Sequence, residues 1–218
     1  MDNLIYILFI CIVAPMVLLL LMLKKRSKLI VGFMLIGIFV SLFVSELNSI
    51  LLAKLNNDTL LVTTSITPVT EELFKALPVL FYAIVVNDRQ DRVLALSFAA
   101  GIGFGMFENM VILVQNIENV TVVWAIIRGF STALMHGVCT FAVGFGIGFV
   151  KKKRKLFISG TFALLSLASI YHGIFNMLVQ SEYKYLGFII PAITYIPILF
   201  WQRKGFKLIK LSGERKDV

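Results

Sequence analysis

The 218-residue sequence predicts an all-α, polytopic membrane protein of about seven transmembrane helices, N-terminus outside and C-terminus inside, with a polar site between helices three to six. Three observations carry this prediction. Hydrophobic residues make up 59% of the chain and charged residues 15%, with a mean hydropathy of +0.91; a soluble domain has about 45–50% and about 25%. Apolar runs of the ~20 residues needed to span a hydrocarbon core recur along the chain. The basic residues cluster between those runs rather than within them.

The apolar segments fall near 4–23, 29–53, 66–86, 93–115, 122–150, 156–180 and 186–201. The first starts Met1-Asp2-Asn3 and is followed by Lys24, Lys25, Arg26 and Lys28, the reverse of a cleavable signal peptide and the order of an outside N-terminus. The fifth is too long for one upright span, so either an interfacial turn precedes Arg128 or the helix tilts strongly. With alternating connections, the inside segments hold 17 of the 21 Lys and Arg residues, and the outside loops hold only Lys54 and Lys184. That asymmetry sets the orientation. The +9 net charge is thus a matter of topology and not of nucleic-acid binding, and the basic tail 203–218 is expected on the anionic inner leaflet. One membrane domain accounts for residues 1–218, with its core at 66–180. Cys11 and Cys139 both lie in apolar runs and imply no disulfide framework.

The informative residues are the polar ones inside these runs. Glu71, Glu72 and Lys75 lie in the third, Glu108 and Asn109 in the fourth, Arg128 and His136 in the fifth, and His172 and Asn176 in the sixth. Ionisable groups in membrane helices face the bundle interior or a wet cavity. At ~1.5 Å per residue, Glu108 and His172 lie ~22 and ~24 Å up from the inside, while Glu71 and Glu72 lie ~8–9 Å and His136 ~12 Å below the outside. Four helices therefore present polar groups in one outer layer.

Within the third segment, Glu71 and Glu72 are four and three residues before Lys75, so the lysine can serve either carboxylate. Thr67-Pro68 reads as N-cap and N1, which would put both glutamates near the positive helix end. His172 and Asn176 share a face, as do Phe104 and Glu108. Taken singly, each has a plainer reading: Glu71–Lys75 as a structural pair, His136 as an interhelical hydrogen bonder, Asn176 as helix glue, and Glu46 as a packing or interfacial residue. Cys139, three residues after His136, is a further candidate ligand. Gly101-x-Gly103-x-Gly105 and Gly144-x-Gly146-x-Gly148 follow no strand, so they read as close helix packing and not as phosphate loops.

Carboxylates beside histidines in a wet membrane pocket suit amide hydrolysis. A glutamate can serve as general base while a histidine or amide stabilises the oxyanion. Equally, two histidines and a glutamate can bind zinc and leave another glutamate as base. No His-Glu-x-x-His, Gly-x-Ser-x-Gly or transmembrane Asp pair offers another route.

These residues resemble a known family. Glu71-Glu72-Leu73-Phe74-Lys75 is similar to the EExxK motif of the PrsW family of bacterial intramembrane proteases. Phe104 to Glu108 resembles its FxxxE, Arg128 with His136 its RxxxxxxxH, and His172 to Asn176 its HxxxN. The four motifs occur in the family's order over residues 71–176. The resemblance implies a superfamily that includes CAAX prenyl endopeptidases and bacteriocin-immunity proteins, with the site in a cavity between membrane helices. It further implies the site-1 cut in a single-pass anti-sigma factor, on its extracytoplasmic side in the bacterial cytoplasmic membrane. A site-2 protease would then follow and release an extracytoplasmic-function sigma factor. A CAAX enzyme would work from the cytoplasmic side and usually carries histidine where Glu108 stands.

On this reading Glu71 or Glu72 is the general base and the other pairs with Lys75. His172 with Asn176 holds the oxyanion or the water, and Glu108 and His136 orient water or complete a zinc site with His172. Arg128 anchors its helix at the interface. The cofactor is either zinc or none. The competing readings are a non-proteolytic immunity or scaffold relative and an ion-coupled transporter, although no inverted repeat is visible.

Overall fold

The computed structural model describes residues 8–9, 12–14, 16–18, 21, 23, 25–56, 58–86 and 89–213. The described residues form an all-helical bundle, in chain order α1 (Lys25–Lys54), the short α2 (Thr59–Leu61), a π-turn (Val62–Ile66), α3 (Thr67–Val85), α4 (Gln90–Gln115), a 3₁₀ turn (Ile117–Asn119), α5 (Val122–Ile147), α6 (Arg154–Val179) and α7 (Lys184–Gly213). Most of the expected first segment, 4–23, lies outside the described residues, as does 214–218; within it, Phe9 packs with Leu35, Ile38, Phe107 and Val111.

Among the described residues, four helices are long and apolar enough to cross a membrane: Ser27–Lys54 within α1, then α4, α5 and α6. α3 carries Glu71, Glu72 and Lys75 in 19 residues, and its amphipathicity is inside out. The charged side chains are buried, while Leu73, Leu77, Phe81 and Ile84 are exposed along the opposite face. That arrangement suits a lipid surround, where apolar groups face outward and polar groups must find partners within the protein.

α4 and α5 form the central pair; α1 covers the other side of α4, and α6 the other side of α5. The glycines explain this sandwich. A Cβ on Gly101 would lie 2.8 Å from Gly137 Cα, and one on Gly105 would lie 2.9 Å from Ala133 Cα, both on α5. Between them Gly103 points the other way, 2.9 Å from Met34 Cα on α1. In α5, Gly144 meets Ser97 of α4 and Gly146 meets Thr161 of α6. Alternate glycines thus let one helix approach two neighbours at backbone distance, which is how helices associate where apolar burial gives no advantage over lipid.

Two sequence expectations change and one alternative closes. α7 extends to Gly213 instead of ending near 201. α5 runs unbroken through Arg128, with no interfacial turn before it. Thr67 is not an N-cap: its backbone is helical, and the winding already starts after Asp58, whose side chain accepts from the Leu61 amide at 3.0 Å. Pro68 lacks the N–H that would bond the Thr64 carbonyl, and the wider π-turn before it accommodates that loss. Glu71 and Glu72 are therefore some ~18–20 Å into a continuous helical segment, beyond reach of its positive end.

The packing makes a specific prediction. Gly101→Leu should abolish accumulation of folded protein, and Gly105→Ala should cost roughly 1–3 kcal/mol. Nothing lies within 4 Å of a Cβ on Gly32, so Gly32→Ala should be neutral or gain roughly 0.5–1 kcal/mol. Thermal melts in detergent distinguish the three.

Candidate active site

α3, α4, α5 and α6 meet around a cluster of charged side chains. Glu72, Lys75, His136 and His172 are each at most 1% exposed, and Glu71 is 4% exposed. Lys75 Nζ donates to Glu72 Oε1 at 2.6 Å, lies 2.7 Å from His136 Nδ1, and sits 4.6 Å above the centre of the Phe104 ring. Of the two adjacent glutamates it is therefore Glu72 that takes the lysine. A buried pair of this kind is tolerated because each charge is met by hydrogen bonds as well as by its counter-ion.

Those contacts orient both histidine rings. An ammonium can only donate, so His136 Nδ1 accepts from Lys75, and its Nε2–H donates to Glu108 Oε2 at 2.5 Å. His172 Nδ1–H donates to Glu72 Oε1 at 2.9 Å. His172 Nε2 then lies 3.8 Å from Glu71 Oε2, which is also 4.0 Å from His136 Nδ1. Glu71 Oε2 and His172 Nε2 are both buried without a hydrogen-bond partner. One donor atom from each of Glu71, His136 and His172 fits within 4.8 Å of the others.

Two imidazole nitrogens and a carboxylate oxygen are a zinc-type donor set. Each histidine also has a carboxylate on its other nitrogen, the outer support that fixes ring orientation in metal sites. The sequence pointed to Glu108 as the carboxylate of such a set; the geometry places Glu71 there, with Glu108 behind His136. Cys139 does not join it, since its Sγ lies 3.6 Å from the Ala168 carbonyl and 3.7 Å from Met135 Sδ.

A family model described as PrsW family intramembrane metalloprotease matches residues 25–202. The chain belongs to that family. It is accordingly a membrane-embedded peptide hydrolase. No curated protein and no solved structure matches the chain.

The other residues of the PrsW motifs take distinct places. Phe104 packs against both Lys75 and His136, with ring centroids 5.0 Å apart for the latter. Asn176 does not reach the donor set: its Nδ2 donates to the Thr63 carbonyl at 2.9 Å, in the π-turn that leads into α3. Gly173 lets the Thr64 carbonyl pass close to α6 beside it. Arg128 is half-buried in the field of Glu108, and its Nε has no hydrogen-bond partner.

A cleft of ≈ 230 Å³ runs between α1 and α4 to Glu71 and Glu108. Its α1 wall is Ser41, Ser45, Asn48, Ser49 and Leu52, a polar stripe that sequence reasoning missed. The signal was present in the spacing of 4, 3 and 1 residues among Ser41, Ser45, Asn48 and Ser49, all on one helical face. Hydroxyls and a lone amide do not interrupt a hydropathy run, so the stripe passed as ordinary membrane helix. Glu46 is not among the lining residues.

The buried pair predicts a double-mutant result. Lys75→Met alone leaves Glu72 charged and unpaired and should destabilise by roughly 3–5 kcal/mol. Adding Glu72→Leu should recover most of that loss of stability, without restoring function. Detergent melts of the single and double variants read the coupling.

Proposed function

We propose that this peptidase is zinc-dependent and makes the first cut in a single-pass anti-sigma factor, on its extracytoplasmic side, in the bacterial cytoplasmic membrane. One observation carries the chemistry: Glu71, His136 and His172 are buried with one donor atom each within 4.8 Å of the others, and a carboxylate fixes each histidine from behind. These three residues would hold the zinc ion, which when bound supplies Lewis-acid polarisation of the scissile carbonyl and makes water more acidic. Lys75 would give up His136 Nδ1 to the ion and keep Glu72 as its partner.

The base must be reachable by water. The Glu108 side chain is 23% exposed, Glu71 5% and Glu72 none. Glu108 lines the cleft, and with Oε2 accepting from His136 its other oxygen is left to take the proton of the attacking water. It then passes that proton to the departing amine, as a positioned carboxylate does in general acid–base catalysis. Glu72 does not titrate in this scheme; it sets the His172 tautomer and neutralises Lys75. Asn176 acts by holding the π-turn that positions α3, and Arg128 by its field at Glu108.

The topology belongs to the same proposal. A single membrane domain of seven spans, N-terminus out and C-terminus in, is supported by the 17 of 21 basic residues on one side. It puts the charged cluster toward the outer face, ~10 Å from the ends of α4 and α6. A downstream site-2 protease would then release the sigma factor.

The test is reconstitution with a single-pass anti-sigma factor encoded in the same genome. Wild type should cut it on the extracytoplasmic side and stop after a zinc chelator. Glu108→Gln should keep its zinc, measured by elemental analysis, and lose roughly 10²–10⁴-fold in kcat. Glu71→Gln and His172→Ala should lose both zinc and cleavage. Cleavage that persists in zinc-free protein, or in Glu71→Gln, overturns the metal assignment; a wild type that spares every anti-sigma factor overturns the substrate class.

A further inference from the structure

The polar wall of the cleft has no part in the chemistry above, and its position gives it one. Ser41, Ser45, Asn48 and Leu52 follow one face of α1, while Phe39, Phe43 and Ile50 on the opposite face are more than half exposed. Ser45 and Ser49 are exposed, and Asn48 Oδ1 accepts from Thr70 of α3 at 2.9 Å, joining α1 to the α3 side of the cleft. The same cleft contains Glu108 and the unpartnered Glu71 carboxylate. Hydroxyls and amides at membrane depth are retained where they line a cavity or meet a polar group.

Size decides what enters. From Ser41 to Leu52 the wall is ~16 Å long. A helix of that length and ~10 Å diameter fills roughly 1,300 Å³, more than the ≈ 800 Å³ of empty space within the cleft. An extended strand at ~3.3 Å per residue covers the same distance with about five residues. The chemistry makes the same demand, because a peptide bond inside a membrane helix has its N–H and C=O bonded within that helix and shielded by side chains. Unwinding frees those groups, and in the membrane they need new partners.

We infer that the α1–α4 cleft is a strand-binding site that takes about five residues of a substrate transmembrane segment in unwound form, with Ser45, Asn48 and Ser49 bonding its freed backbone groups. This deepens the protease reading above and rests on it. The class of substrate follows: membrane segments whose cleavage region is rich in Gly, Ser, Asn or Pro, residues that leave a helix at little cost. A uniform Leu/Ala helix is excluded even when it is long enough to span.

The experiment uses two synthetic transmembrane peptides, one uniform Leu/Ala and one with Gly-Ser-Asn-Gly-Ser near its outer end, each with one cysteine at that depth. Binding is read by disulfide trapping in vesicles with the full chain carrying Cys11→Ala, Glu108→Gln and Ser45→Cys. Ile50→Cys, on the opposite face, replaces Ser45→Cys as control. The breakable peptide should trap at Ser45→Cys at least tenfold more than the uniform peptide, and tenfold more than at Ile50→Cys. In otherwise wild-type protein, Ser45→Leu should lower kcat/KM for the breakable peptide at least tenfold with an unchanged melting temperature. Equal trapping of both peptides, or at both positions, overturns the proposal, as does normal cleavage by Ser45→Leu. Selective trapping by a protein whose wild type cuts neither peptide leaves the strand site standing and removes the protease reading.

Discussion

The structure depends on the cost of a buried charge in a membrane. Glu72 and Lys75 are each at most 1% exposed, and neither is stable there alone, so the neutralising contact between them fixes the inner face of α3. Glu72 reaches across to His172 on α6, and Lys75 to His136 on α5, which in turn holds Glu108 on α4. One chain of hydrogen bonds therefore joins four helices. The same network sets the ring orientations, leaving His172 Nε2 facing Glu71, and His136 Nδ1, which takes Lys75, at 4.0 Å from the same carboxylate. Stability and chemistry are met by the same contacts, and a change to one member disturbs both.

That network needs helices close enough for short side chains to meet. Glycine provides the approach: Gly101 and Gly105 bring α4 against α5 at the level of His136, and Gly173 brings α6 against the π-turn just before α3. Below the site the bundle is packed with small and apolar residues such as Val79, Ala83, Ala99, Ala100 and Val143. Above it, the polar wall of α1 leaves a cleft. The site is thus closely packed where donors must converge and open on the side of the cleft where a peptide must enter.

Much of this was legible in the sequence because membranes impose simple rules. Hydropathy marked α1 and α3 to α6 to within a few residues and the start of α7, which runs twelve residues past its expected end, and the charged exceptions named every member of the network, Glu71, Glu72, Lys75, Glu108, His136 and His172. What escaped was of three kinds. The stripe on α1 is made of residues that hydropathy treats as neutral. The start of α3 was misread because Thr-Pro resembles a helix cap, whereas here a π-turn carries the helix through it. The partners within the cluster could not be assigned, since Lys75 lies within one turn of both glutamates.

The sequence by itself determined an all-helical membrane protein and the set of ionisable residues that must share its interior, because lipid gives such groups no other place to go. Only the tertiary structure decided which of them touch. Lys75 chose Glu72 because His172 approaches that carboxylate from α6; Glu71 was left facing both histidines; Glu108 went to the far nitrogen of His136. Those choices turn on rotations and separations of whole helices by a few ångströms, set by glycine contacts between segments far apart in sequence. Spacing along one helix carries no information about them.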